Sequence, residues 1–219
     1  MALTKFNFNS FDLTTAASKG LAFNSSANGF ETAAEGSMTL IKTLTASSDS
    51  TLSFVDGSSS VVLDSTYPVY MFKLINIHPA TDGQAIMFQG STDTGSSYGV
   101  NITSSWFYAR HTEDNSHASV SYNTGKDLAQ STSFQSFMFS GNANDEPCSG
   151  EIFLFNPSST TFVKHFIARG SATNDSDDAN DIFLAGYFNT TSAIDAMQFK
   201  FYSGNIDAGT IKLYGIKDS

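Results

Sequence analysis

The chain has 219 residues, enough for one domain with a sizeable core, and only 15% of them are charged, against about 25% in typical soluble proteins. Its polar surface consists mainly of hydroxyls and amides, because it holds 33 serines, 22 threonines and 15 asparagines. Twenty phenylalanines and few glutamates favour strands over exposed helices, which excludes helix bundles and coiled coils. A net charge of −10 with two arginines excludes nucleic acid as a partner, because such binding needs clustered cations.

The sequence shows no targeting or membrane signal. The first residues are polar, with no apolar signal core, and no apolar run approaches the roughly 18 residues of a membrane span. We therefore expect a soluble chain that is made in a cytoplasm. The single cysteine, Cys148, has no disulfide partner and no basic neighbour to activate it, so we interpret it as a structural thiol. No cofactor is expected.

Residues 1–37 differ in composition from the rest of the chain. Alanine, serine, asparagine and glycine dominate there, without a sustained hydrophobic period, and the segment cannot bury much area by itself. Two interpretations stay open, a disordered tail and an ordered arm that lies against a neighbouring molecule. The arm interpretation rests on five scattered phenylalanines as docking residues: Phe6, Phe8, Phe11, Phe23 and Phe30.

From Met38 onward, short apolar runs alternate with turn-forming clusters, which is typical of an antiparallel sandwich or barrel. Leu40, Lys42 and Leu44 share one face of a first strand. A long run at 67–77 follows and is predicted to stop at His78-Pro79, because proline lacks a backbone donor. Further strands are predicted at about 51–55, 85–89, 104–110, 117–122, 134–140, 151–155 and 162–168.

The last third carries the clearest pattern. Ile182–Phe188 is mostly apolar, Met197 to Tyr202 alternates, and turn residues at 203–209 precede a final alternating strand from Ile211. Gly186 and Gly215 interrupt strand patterns and are predicted to be bulges or close backbone approaches. The sequence thus predicts an all-β fold, an antiparallel β-sandwich of jelly-roll type with about eight to eleven strands at 38–219, behind an extended N-terminal arm at 1–37.

Catalytic chemistry has little support in the sequence. The four histidines, His78, His111, His117 and His165, lack zinc-binding spacing, and no Gly-x-Ser-x-Gly elbow marks a serine nucleophile. Glycoside hydrolysis needs two carboxylates on a rigid scaffold, whereas the five glutamates fall mainly in predicted loops or in the arm. We therefore predict that the chain is not an enzyme, and a glycan-degrading enzyme is the least favoured hypothesis for its function.

Two binding sites are weighed instead. Glycan binding needs exposed aromatic rings, for which Trp106, Tyr108 and Tyr122 are candidates, although each residue type is more often a core or interface aromatic. The acidic run at 174–181 offers oxygen ligands for Ca²⁺, but it lacks the glycine and glutamate of a hand-type loop, and a solvated loop is the simpler interpretation. Its four candidate ligands are Asp175, Asp177, Asp178 and Asp181.

Several stretches resemble virion structural proteins of tailed bacteriophages, particularly marine ones: Ile77–Asp82, Asp93–Tyr98, Leu154–Ser159, Gly186–Phe199 and Ser203–Ile216. The resemblance spans about residues 38–219 and is strongest in the last thirty. It marks strands and turns, so it implies no catalytic or binding residue. In that family, related β-rich domains occur behind different N-terminal regions on head and tail components.

The resemblance implies a non-enzymatic virion protein. Low surface charge suits a protein packed in many copies against itself, so we expect a head decoration or cement protein, forming a homotrimer and bound to the major capsid protein or to a tail component. The alternative is a tail-fibre or receptor-binding head that recognises host glycan. A membrane partner is not expected.

Overall fold

A computed structural model describes residues 21–23, 26, 30–32 and 36–218. All regular elements in these ranges are β-strands, and none of the described residues forms a helix that could cross a membrane. The strands are β1 (Leu21–Phe23), β2 (Phe30–Thr32), β3 (Met38–Thr45), β4 (Leu52–Val55), β5 (Val69–Pro79), β6 (Gln84–Ser91), β7 (Ile102–Thr112), β8 (Ala118–Tyr122), β9 (Gln135–Ser140), β10 (Cys148–Phe155), β11 (Lys164–Thr173), β12 (Asp178–Phe188), β13 (Ala196–Phe201) and β14 (Ile206–Ile216).

The chain divides into two units, Met1–Thr39 and Leu40–Ser219. In the first unit, β1 and β2 pair in an antiparallel ribbon that sets Phe23 opposite Phe30. Their rings stack with centroids 4.9 Å apart, as cross-strand aromatic pairs commonly do. The other three predicted docking residues, Phe6, Phe8 and Phe11, lie outside the described residues.

The second unit is an antiparallel β-sandwich, as predicted. Strands β3-β14-β5-β10 form one half of it and β4-β13-β6-β9 the other, so the chain alternates between the sheets in the order of a jelly roll. The alternating apolar positions of both sheets point inward and form a single core. The predicted jelly-roll fold is therefore confirmed.

Two excursions extend this jelly roll. The chain inserts β7 and β8 between β6 and β9, and it inserts β11 and β12 between β10 and β13. All four strands join the sheet beyond β10, which becomes an eight-stranded sheet in the order β3-β14-β5-β10-β11-β12-β7-β8. The sandwich thus has twelve strands, one more than the predicted maximum.

Aromatic rings fill the space between the sheets. The rings of Phe54, Phe72 and Phe199 lie 5.4 to 6.2 Å apart, and Phe88 meets the Phe166 ring edge-on at 5.2 Å. Burial of rings of this size is the main favourable contribution to the folding of a chain without disulfides.

Two glycines let other groups approach the backbone closely, as predicted. A Cβ on Gly186 would lie 2.6 Å from the Thr103 carbonyl oxygen, and one on Gly215 would lie 2.3 Å from the Tyr67 ring. Neither distance leaves room for a side chain, so both positions require glycine.

Bulges extend two strands beyond their predicted boundaries. Strand β5 continues through Pro79, and β14 begins at Ile206 rather than near Ile211. The extension contains register shifts, and Asn76 and Gly209 adopt positive φ angles of 49° and 112°. These bulges let the two strands remain paired through residues that the sequence pattern assigns to a turn.

Candidate functional site

The two sheets differ in width, and a cavity opens where the narrower one ends. The four-stranded sheet stops at β9, whereas the other continues through β12, β7 and β8. A cavity of about 180 Å³ lies at this edge, on the inner face of β7 and β12. It is lined by Trp106, Tyr108, Asn123, Lys126, Phe139, Asn174, Asn180 and Ile182.

Trp106 forms a buried part of the cavity wall. Its side chain is only 2% exposed, its indole Nε1 donates a hydrogen bond to the Phe137 carbonyl at 3.1 Å, and its ring meets Phe139 edge-on. Of the two interpretations that the sequence left open, the structure places Trp106 in the core. Tyr108, two residues along the same face, is half-buried and packs against the Trp106 ring at 5.2 Å.

The loop after β8 forms one wall of the cavity and is held by buried polar groups. The Gln135 side chain, fully buried in β9, donates a hydrogen bond to the Lys126 carbonyl at 2.8 Å. The backbone N–H of Asn123 donates to the Trp106 carbonyl at 3.0 Å. These two bonds fix the backbone of Asn123 and Lys126, whose side chains line the cavity. This wall is therefore preorganised for a ligand.

Several polar atoms around the cavity have no hydrogen-bond partner within the described part of the chain. They are the Tyr108 hydroxyl, Lys126 Nζ, Asn123 Nδ2 and Asn180 Oδ1. The other side-chain amide atoms of the two asparagines are bonded: Asn123 Oδ1 accepts from the Gly125 backbone N–H, and Asn180 Nδ2 donates to the Asp178 backbone carbonyl. Lys126 Nζ instead lies 4.2 Å from the centre of the Phe139 ring. Partial burial lowers the pKa of Lys126. The cavity therefore combines aromatic walls with unused donors and acceptors.

The outer face of the eight-stranded sheet carries a second candidate surface. Its large side chains include the exposed residues Phe107, Val120, Tyr122 and Ile167. Phe107 stacks on Phe183 of the neighbouring strand, with centroids 4.8 Å apart and planes 3° from parallel. We call the set Phe107, Val120, Tyr122, Ile167 and Phe183 the outer apolar face.

Tyr122 lies directly opposite Phe107 in the pairing of β8 with β7, so the two side chains point to the same side of the sheet. Tyr122 therefore belongs to the outer apolar face rather than to the cavity. Its hydroxyl donates a hydrogen bond to Asp127 Oδ2 at 2.5 Å, which raises the pKa of the tyrosine. Of the three aromatic residues proposed from the sequence, Trp106 and Tyr108 line the cavity, and Tyr108 is the more exposed of the two.

The acidic run is not one cluster. The sequence predicts a loop there, but β12 begins at Asp178, so Asp178 and Asp181 lie on opposite faces of this strand. Asp178 is buried beside Arg110, Asp181 pairs with Arg169, and Asp175 and Asp177 are exposed in the preceding turn. The described residues contain no group of three or more histidine, cysteine or acidic side chains that could hold a metal ion.

The remaining titratable candidates are dispersed. His78 Nε2 lies 3.0 Å from the Ala143 carbonyl oxygen, whereas His165 is exposed beside Tyr187. Cys148 is buried, and burial raises the pKa of its thiol to about 12. A thiol that stays protonated near neutral pH is a poor nucleophile.

Sequence reasoning missed Lys126, Asn123 and Asn180. They come from a loop and from a strand that are far apart in the chain, and each sits among other polar residues without a recognisable motif. The pairing of β12 with β7 brings Asn180 beside Tyr108, and the pairing of β8 with β7 brings the loop that carries Asn123 and Lys126.

Comparisons with known proteins identify no relative. No family model matches the chain, and neither the curated proteins nor the solved structures contain a significant match.

Proposed function

We propose that the chain is a non-enzymatic structural protein of a tailed-phage virion, acting as a head decoration or cement protein. The observation that carries the proposal is the outer apolar face, exposed on a jelly-roll scaffold. Jelly rolls are common in viral capsids, and an exposed apolar patch is typical of a protein that binds another protein. The sequence resemblance to virion proteins supports the same function.

The outer apolar face suits contact with further copies of the chain. Beside its aromatic residues, the cross-strand row continues from Phe183 to Arg169, Glu151 and Lys73, so charges of both signs flank the apolar part. A second copy with the same arrangement can match both the apolar and the charged parts. This supports assembly through contacts between copies of the chain, and the proposed unit of assembly is a homotrimer.

The N-terminal arm is the proposed anchor to the major capsid protein. It supplies Phe6, Phe8, Phe11, Phe23 and Phe30, and the stacked pair Phe23 and Phe30 presents exposed apolar area. Docking of several phenylalanines on a neighbour would bury area at about 25 cal/mol per Å². Cement proteins stabilise a shell by burying such area across subunit junctions.

Localisation tests the proposal. Purified virions are labelled with a gold-conjugated antibody against the chain and imaged by electron microscopy, and we expect label over the whole head surface. Label confined to tail tips contradicts the decoration function. A chain lacking residues 1–30 should fold, as judged by its melting temperature, and fail to bind particles that lack the protein. Normal decoration by this truncated chain would contradict the anchor.

The cavity beside Tyr108 favours a second candidate function, recognition of host glycan by a tail-fibre or receptor-binding head. Aromatic walls with free amide groups suit a sugar, which offers an apolar ring face and many hydroxyls. A glycan array incubated with the labelled protein tests this function. The absence of any bound glycan at high protein concentration contradicts it.

A further inference from the structure

We infer that the cavity between β7, β12 and the loop after β8 is a binding site for a sugar ring that carries a carboxylate, with Lys126 as the residue that pairs with the carboxylate. The inference rests on the second candidate function, glycan recognition, and names the class of sugar. It depends on the chemistry of the cavity and not on the position of the protein on a particle.

Charge is the first reason for an acidic ligand. The protein carries a net charge of −10, yet the Lys126 ammonium has no carboxylate partner among the described residues. Asp127, the next residue, accepts a hydrogen bond from Tyr122 instead. Asp178, which accepts from Asn174 at the cavity wall, is compensated by Arg110 at 2.9 Å. The cavity therefore contributes one uncompensated positive charge, which attracts an anion.

The position of Lys126 is the second reason. Its ammonium lies over the Phe139 ring, a contact that uses the face of the ring and leaves the ammonium hydrogens available for a ligand. The surrounding backbone is held by Gln135 and by the bond from Asn123 to Trp106, so the charge needs little reorganisation to meet a ligand. A charge-assisted hydrogen bond in such a partly buried place is stronger than a neutral one.

Size and polarity are the third reason, and they favour a sugar over other acids. The volume of about 180 Å³ is below the roughly 300–1,000 Å³ of pockets for drug-sized ligands, so the cavity has room for a single ring. Its free groups include both donors and acceptors, Asn123 Nδ2, the Tyr108 hydroxyl and Asn180 Oδ1, which match the mixed character of sugar hydroxyls. An aromatic acid would leave these groups unpaired.

The experiment uses the full chain and four free sugars. Sodium glucuronate and sodium galacturonate are titrated into ¹⁵N-labelled protein, with glucose and galactose as their neutral counterparts, and amide shifts are followed by NMR. We expect both uronates to shift the amides of Asn123, Lys126 and Asn180 and to bind at least tenfold more tightly than the neutral sugars. Raising the salt concentration should weaken the uronates selectively.

Three variants assign the charge to Lys126. Lys126→Met should bind the uronates at least tenfold more weakly and the neutral sugars unchanged, while Lys126→Arg should retain uronate binding. Lys212→Met, which removes a lysine on β14 that is not part of the cavity lining, should behave as the wild type. Melting temperatures of all three verify that each variant folds.

The possible failures are distinguishable. If neutral glycans bind on the array or in the titration and Lys126→Met has no effect, glycan recognition stands and the acidic-sugar site is overturned. If the uronates cause no shift at the cavity while the array finds a ligand, the site is also overturned. If no sugar binds in either assay, both the site and the second candidate function are overturned.

Discussion

Arg110 Nε lies 2.9 Å from Asp178 Oδ2, and the Asp178 side chain is only 2% exposed. The other carboxylate oxygen, Oδ1, has no hydrogen-bond partner among the described residues, so the charge of Arg110 is the main compensation for this buried anion. The contact does not meet the geometry of a hydrogen bond at Arg110 Nε and acts as an ion pair. The second arginine, Arg169, pairs with Asp181 on the opposite, exposed face of β12.

Replacing Arg110 should therefore destabilise the fold far more than replacing Arg169. We expect Arg110→Met to lower the free energy of unfolding by about 3 kcal/mol, because it leaves a buried carboxylate uncompensated. Arg169→Met is the matched control and should cost about 1 kcal/mol or less, as exposed pairs do. Urea denaturation of both variants measures the difference, and equal costs would show that the Asp178 charge is compensated elsewhere.

A methyl group at Gly186 should also be costly. A Cβ there would lie 2.6 Å from the Thr103 carbonyl oxygen and 2.7 Å from the Phe166 ring, both in the packed interior. We expect Gly186→Ala to lower the free energy of unfolding by about 1–3 kcal/mol, as overpacking does. Gly99→Ala is the control, since the nearest atom to its Cβ is 3.9 Å away. Similar thermal unfolding of the two variants would contradict this account.

The turn after β6 should give the protein an acid-sensitive element. Hydrogen bonds from Ser97 and Ser91 lower the pKa of Asp93 to about 2, from an ordinary value of 3.8. The ionised carboxylate therefore stabilises the folded state above about pH 4, and this contribution is lost as the pH falls toward 2. NMR titration of the side-chain carboxyl should show the low pKa in the wild type and a higher one in Ser97→Ala. An unchanged pKa in that variant would rule out the hydroxyl as the main cause.

Cys148 should be inert in the native protein. Burial raises the pKa of its thiol to about 12, and only the thiolate attacks alkylating reagents at an appreciable rate. We expect no labelling by iodoacetamide at pH 8 under native conditions and complete labelling in urea, both followed by mass spectrometry. Rapid native labelling would mean that β10 opens readily.

The outer apolar face should control self-association. Ile167→Lys places a charge at the β11 margin of this face without altering the core, because the Ile167 side chain is 52% exposed. We expect sedimentation velocity to show an oligomer for the wild type and a shift toward monomer for the variant. Tyr202→Lys, at an exposed tyrosine outside the outer apolar face, is the control and should sediment as the wild type. A monomeric wild type would contradict self-association through this face.

The strands could be predicted from the sequence because alternation of apolar and polar residues is a local signal. The sequence could not show which face of β7 points inward, because Trp106, Phe107 and Tyr108 are consecutive aromatic residues and give no alternation of apolar and polar side chains. The structure places Trp106 and Tyr108 inward and Phe107 outward, and that choice decides which ring lines the cavity. In the acidic run, the polar sequence hides a strand, because β12 pairs with β11 and β7 through backbone bonds that any residue can make.

Of the two excursions from the jelly roll, β7–β8 depends on β11–β12 for its place in the sheet, whereas β11–β12 does not depend on β7–β8. Strands β11 and β12 attach directly to β10, whereas β7 and β8 reach the sheet only through β12. A jelly roll with the β11–β12 hairpin alone still has every strand paired, whereas β7–β8 without that hairpin loses β12, the strand through which it joins the sheet. The cavity is lined by residues of both excursions, so it forms only when β11–β12 and β7–β8 have both joined the sheet. Changes in its walls can alter what the protein binds while the eight strands of the jelly roll stay as they are.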